Sequence, residues 1–168
     1  MVELKAKVNN LKAIGRNLTI LGAKRVGAFR QIDVYFNVPK GRLKFREVEG
    51  NNKAELIYYE REDTAGPKEG DVVVLRFQEA EVFKNLLERI LEISSIVEKV
   101  REIYQYQGTQ IHLDQVKKLG NFIEFERKTT ADAVAVRKNL QILKKLMETL
   151  NIKPEDLEKQ SYGDLVHT

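Results

Sequence analysis

The sequence predicts an α+β fold: a closed, eight-stranded antiparallel β-barrel with helices packed outside. Three observations predict it. Eight short segments alternate apolar and polar side chains, the period of a half-buried strand. Most links between them are short and rich in turn residues, as antiparallel hairpins require. Three longer segments each carry one apolar face at helical spacing, and such faces need a surface to pack on. With 168 residues and 42% hydrophobic content, the chain can bury a core of this kind and is read as one domain over residues 1–168.

Alternation marks strands at 2–8, 31–36, 41–48, 54–61, 71–77, 96–106, 109–116 and 121–128. Pro39-Lys40-Gly41, Gly50-Asn51-Asn52, Gln107-Gly108 and Lys118-Leu119-Gly120-Asn121 read as tight turns. A helix over 9–21 begins with Asn9 or Asn10 as its cap, aligns Leu11, Ile14, Leu18 and Leu21, and stops at Gly22. Residues 79–93 place Val82, Phe83, Leu86, Leu87, Ile90 and Leu91 on a second apolar face. Residues 130–150 do likewise with Val136, Leu140, Leu143, Met147 and Leu150, and Pro154 opens a short final turn.

Composition narrows the chemistry. No apolar run approaches the ~20 residues of a membrane span and the first residues have no signal-peptide character, so a soluble, cytoplasmic protein is expected. Without cysteine there is no disulfide, zinc-thiolate site or thiol nucleophile, and two histidines argue against a histidine-rich metal site. Any metal would be held by oxygen. The net charge of +4 favours anionic partners without singling out nucleic acid, and the 8% aromatic content shows no stacking platform for bases.

The polar faces of the strands are more specific. In Gly41-Arg42-Leu43-Lys44-Phe45-Arg46 a cation occupies every second position, so Arg42, Lys44 and Arg46 share one face. Glu3, Lys5 and Lys7 form a similar row, as do Lys99 with Arg101, Glu124 with Glu126, and His112 with Asp114; Arg61 shares a face with Ile57 and Tyr59. Any one row is accounted for by a sheet with one wet face. Together, in a closed sheet, they line an interior kept hydrated by mutual repulsion. Lysine and arginine there suit a polyanion, and carboxylates beside it suit magnesium or manganese on a phosphate chain. Gln31, Asp33 and Tyr35 read as hydrogen-bond partners fixing the barrel, and His112 as a surface or structural residue.

The motifs Gln31-Ile32-Asp33-Val34-Tyr35-Phe36, Gly41 to Glu47, Leu56-Ile57-Tyr58-Tyr59-Glu60-Arg61, Ile111-His112-Leu113-Asp114, Leu119 to Glu126 and Ser161-Tyr162-Gly163-Asp164-Leu165 resemble, in order, CYTH domains, the triphosphate tunnel metalloenzymes. The resemblance covers nearly the whole chain and is closest to the class IV adenylyl cyclase-like branch. It implies a barrel whose tunnel binds triphosphate, with Lys5, Lys7, Arg42, Lys44, Arg46, Arg61, Lys99 and Arg101 as triphosphate ligands. Glu3, Glu124 and Glu126 are implied as ligands of Mg2+ or Mn2+, and Asp114 and Glu126 as catalytic. The family's N-terminal signature aligns either with Met1 in place of its first glutamate or with Glu3 as the first and Lys5 in place of the second, and in both alignments the resemblance implies one metal-holding carboxylate fewer. The Ser161-Tyr162-Gly163-Asp164 tail caps the tunnel or merely packs.

The expected function is a divalent-metal-dependent triphosphatase acting on inorganic triphosphate or a nucleoside triphosphate such as ATP. A class IV adenylyl cyclase forming cyclic AMP and pyrophosphate is the alternative, and a non-catalytic triphosphate binder a second one. The partner is a small-molecule triphosphate, with neither membrane nor nucleic acid, and the resemblance allows a homodimer.

Overall fold

The computed structural model describes residues 1–60 and 68–167. Strands β1 (Val2–Val8), β2 (Lys24–Phe36), β3 (Arg42–Val48), β4 (Ala54–Glu60), β5 (Lys68–Glu69), β6 (Asp71–Phe77), β7 (Ile93–Tyr106), β8 (Thr109–Val116) and β9 (Gly120–Arg127) form one antiparallel sheet, ordered β5-β1-β9-β8-β7-β2-β3-β4-β6. Helices α1 (Leu11–Ile20), α2 (Ala80–Ile90) and α3 (Ala133–Thr149) pack outside it. A 3-10 turn (Pro154–Asp156) leads to the short α4 (Tyr162–His167).

Each of the eight expected strands is present, and the sheet curls, but "closed" overstates it. The strand over 68–77 is interrupted at Gly70, so β5 pairs with β1 while β6 pairs with β4. Among the described residues the two edges meet at Val2↔Glu69 and Glu3↔Lys68, supplemented by a hydrogen bond from Gly70 N to the Met1 carbonyl at 3.0 Å. Further along, the edge of β1 is occupied by other chain: Ala6 bridges Leu157, and Glu158 N donates to the Lys5 carbonyl at 2.9 Å. The result is a curled half-barrel. Strand β2 begins earlier than the sequence pattern suggests. Its pairing with β7 is irregular between Arg25 and Gly27 and regular from Gly27 to Tyr35.

Outward side chains bury the helices. Val2, Leu4 and Ala6 of β1, Ile111 and Leu113 of β8, and Ile123 and Phe125 of β9 form one core with Leu18 of α1 and Leu143, Leu146 and Met147 of α3. Asn10 caps α1 by accepting from Ala13 N at 3.0 Å, and Asp132 caps α3 by accepting from Ala135 N at 3.1 Å. Gly22, at φ +87°, provides the left-handed turn that ends α1. A second core joins Val34, Phe36 and Phe45 to Phe83, Leu87 and Leu91. The α2 face is therefore narrower than its sequence implies: Val82, Leu86 and Ile90 remain exposed, because α2 rests on the sheet through one stripe only.

Candidate functional site

The inward face of the sheet is organised in layers along the strand axis. At one end α4 enters the curl. Tyr162 packs with Tyr35, Val97, Val116 and Phe122, so four inward side chains of the sheet and one from α4 form a packed floor. A Cβ on Gly163 would lie 2.8 Å from the Tyr35 ring, so glycine permits this approach. Arg42, expected as a triphosphate ligand, is held at this end by Asp164, with Nε at 3.0 Å and Nη2 at 2.8 Å from Oδ2. Lys7 lies exposed beyond Phe122, its ammonium 5.9 Å from that ring. Neither residue lines the cavity, because the α4 floor stands between them and it. The tail thus caps the curl.

Above the floor is a cavity of about 550 Å3, lined by the expected residues Glu3, Lys5, Lys44, Arg46, Arg101, Glu124 and Glu126 together with His112, Gln31, Tyr35, Tyr59 and Tyr162. Arg61 lies outside the described residues. Lys99, on the same inward face, does not line the cavity: its side chain is at 0% exposure, its ammonium 2.7 Å from Asp33 Oδ2 and 5.7 Å from the Tyr162 ring centroid.

Two buried carboxylates organise the cations. Asp33 accepts from Arg46 Nε at 2.7 Å and Nη2 at 2.8 Å, from Lys99 at 2.7 Å, and pairs with Lys44 at 3.4 Å. Burial alone would raise its pKa, but Arg46, Lys99 and Lys44 together hold it well below the usual carboxylate range. Asp114 grips Arg101 through two hydrogen bonds of 2.7 Å and accepts from Tyr162 Oη at 2.7 Å. Expected in a catalytic role, it is fully buried with its oxygens engaged, a geometry suited to positioning Arg101. Lys44 sits 5.5 Å and 5.6 Å from the Tyr35 and Tyr59 ring centroids, within cation–π range. The Lys5 ammonium donates to the Gln160 carbonyl at 2.8 Å and lies over the Tyr162 ring; burial lowers its pKa.

The acids gather on β1, β8 and β9. Glu124 is opposite both Lys5 and His112, and Glu126 is opposite Glu3 and Gln110. Glu124 Oε1 lies 3.2 Å from His112 Nδ1 and 3.3 Å from Arg101 Nη2. Burial would raise the Glu124 pKa, but Arg101, His112 and Lys5 keep it well below the ordinary value, so it is a carboxylate. Ligand atoms of His112, Glu124 and Glu126 lie within 4.8 Å of one another, a spacing that could hold a metal ion. Two hard oxygen donors and an imidazole, with Glu3 on the neighbouring strand, fit a divalent cation. His112 is not a surface residue, since it is 3% exposed and faces the cavity. Its shared face with Asp114 was the available signal. Tyr162, the floor, had no signal in the alternation because it comes from a six-residue helix.

A family model described as CYTH domain matches residues 1–162. A protein of Methanocaldococcus jannaschii, provisionally named an adenylate cyclase, is 26% identical over 98% of this chain and 97% of its own length. The solved structure of the PH1012 protein from Pyrococcus horikoshii OT3 is 29% identical, covers 98% of both chains and superposes with a TM-score of 0.85. A Vibrio parahaemolyticus protein, also provisionally named an adenylate cyclase, shares the fold at 20% identity, 99% and 97% coverage and a TM-score of 0.84.

Proposed function

The chain belongs to the CYTH domain family, and from that membership and the charge layout of its cavity we propose a divalent-metal-dependent enzyme that processes a small triphosphate, foremost a triphosphatase. The observation that carries this reading is one cavity lined by Lys5, Lys44, Arg46 and Arg101 on some strands and by Glu3, Glu124, Glu126 and His112 on others. Cations of that density match the charge of a phosphate chain, and Arg46 and Arg101 are already oriented by Asp33 and Asp114. Lys99, whose pKa burial pulls well below the ordinary lysine value, serves here through its contact with Asp33. Lys7 and Arg42, outside the cavity, play no direct part in this account.

A magnesium or manganese ion held by Glu124, Glu126 and His112 would supply charge neutralisation at the phosphate oxygens and acidify bound water. The protein's own groups do the rest. Lys5, Lys44, Arg46 and Arg101 hold the chain in line with the attacking water, Glu126 accepts the water proton, a new P–O bond forms and the phosphoanhydride bond breaks. Asp114 acts through Arg101.

The cyclase reading is kept because the Methanocaldococcus jannaschii relative is provisionally named so. There a ribose hydroxyl replaces water and pyrophosphate leaves. The test is a panel of inorganic triphosphate, ATP and thiamine triphosphate, each with magnesium or manganese, scored for phosphate, pyrophosphate and cyclic AMP. Metal-dependent phosphate release supports the triphosphatase and cyclic AMP the cyclase. Binding without turnover would leave a non-catalytic binder.

A further inference from the structure

Helix α3 carries a feature that the cavity does not use. Its inner side is taken up by the core, where Val136, Leu143, Leu146 and Met147 are buried. Its outer side exposes Arg137, Lys138, Gln141, Lys144 and Lys145, and the one acid of the helix, Glu148, comes only after them. With 3.6 residues per turn, Arg137 and Lys144 fall in one row along the helix and Lys138 and Lys145 in a second, about 100° round the axis, the members of each row about 10 Å apart. Gln141 lies between the rows.

These cations have no electrostatic partner within the molecule. Elsewhere on the surface Arg25, Arg30, Arg76, Lys84 and Lys117 each pair with an acid. None of the four on α3 makes an ion pair among the described residues. They do not offset the helix dipole either, because the last turn holds Glu148 and no basic residue. Four like charges on one face, with no acid among them, repel one another. An anion outside the molecule accounts for the arrangement.

The shape of the face selects among anions. A helix that lies on a membrane inserts an apolar face, but Val134, 73% exposed, is the one large apolar side chain that α3 exposes. A flat surface also meets the ridge between the two rows and leaves the cations at its margins. A duplex instead places phosphates on both sides of a groove, and its DNA form carries one negative charge per about 1.7 Å of axis. The sequence offers no stacking platform for single-stranded bases, and a duplex, whose bases are already stacked on one another, needs none. We infer that the outer face of α3 is a docking surface for the phosphate backbone of double-stranded nucleic acid, with Arg137 and Lys144 on one strand and Lys138 and Lys145 on the other. The contacts are to phosphates, so the surface has no sequence preference. The inference is independent of the triphosphate reading.

The test is fluorescence anisotropy with a labelled DNA duplex of mixed sequence, about two helical turns long. Binding at physiological salt should have a Kd of about 1–100 μM, and log affinity should fall against log salt with a slope of about −3 to −4, as four neutralised phosphates require. Lys144→Glu with Lys145→Glu should weaken binding at least tenfold and make the slope shallower by about 2. Lys40→Glu with Lys117→Glu changes the net charge equally at other exposed positions and should leave affinity within threefold. Arg137→Ala with Lys138→Ala, which only removes charge, should weaken binding about fivefold or more and serves where the reversal variant fails to fold. No binding by the unaltered protein at about 50 mM salt overturns the inference. So does a loss as large in the Lys40 and Lys117 variant, which assigns the binding to net charge alone. Tighter binding to vesicles of phosphatidylcholine and phosphatidylserine than to the duplex gives the face to a membrane and also overturns it.

Discussion

Tyr162 donates its hydroxyl to Asp114 Oδ2 at 2.7 Å, and through that bond a C-terminal helix reaches the Asp114–Arg101 pair in the wall of the cavity. The contact joins the last described element to the inner face of β8, which lies between β9 and β7 in the interior of the sheet order. Tyr162→Phe keeps the ring against Phe122 and removes only the hydroxyl. It should cost about 1 kcal/mol of stability, read as a lowered denaturant midpoint, and reduce kcat/KM modestly because Arg101 loses one of its indirect restraints.

Gly163→Ala tests the floor from the other side. Its Cβ would meet the ring of Tyr35, itself buried, at 2.8 Å. Overpacking of this kind costs about 1–3 kcal/mol, and α4 must shift. Thermal unfolding should report the loss, and faster proteolysis after residue 157 should locate it in the tail.

Asp33 faces three cations, Lys44, Arg46 and Lys99, so Asp33→Asn leaves a buried positive cluster without its anion. Removing one partner of a buried pair costs about 3–5 kcal/mol, and the denaturant midpoint should fall accordingly. Stability matching the unaltered protein would show that the cluster is not the restraint described.

The same residue sets an acid limit. The folded-state pKa of Asp33 lies well below its ordinary value of 3.8, since the attraction of Arg46, Lys99 and Lys44 exceeds the opposing effect of burial. Glu124 is depressed in the same sense. A carboxylate depressed on folding contributes stability that is complete above its unfolded-state pKa and is lost as pH falls toward the folded-state value. Stability should therefore hold down to about pH 4–5 and decline steeply below. In Asp33→Asn the decline should be shallower, measured by urea titrations across the acid range.

Much of this molecule is legible in its sequence. The parity of Arg42, Lys44 and Arg46, of Lys99 and Arg101, and of Glu124 and Glu126 placed every one of them on the inward face, because side chains alternate strictly along a strand. Alternation says nothing about how far along the curl a residue lies. That is why Lys7 and Arg42, equal to their neighbours in pattern, fall beyond the floor, and why Lys99 is buried against Asp33 and does not line the cavity. Capping by the Ser161-Tyr162-Gly163-Asp164 tail is one of two readings of the sequence, and periodicity cannot choose between them, since Tyr162 and Gly163 act through one close approach to Tyr35. The incomplete closure is not legible either, and follows from residues 157–158 occupying the edge of β1.

Calorimetric titration with inorganic triphosphate, on the unaltered protein and on Lys44→Ala, bears most directly on the claim that these cations grip a phosphate chain. Lys44 lines the cavity and holds Asp33 only at 3.4 Å, so its loss should leave the unfolding midpoint nearly unchanged. The unaltered protein should bind, more weakly as salt rises. Lys44→Ala should bind about 10–100-fold less tightly, the worth of one hydrogen bond to a charged group at about 1.5–3 kcal/mol. Equal affinity in the two proteins, or no binding to the unaltered one, would contradict the account.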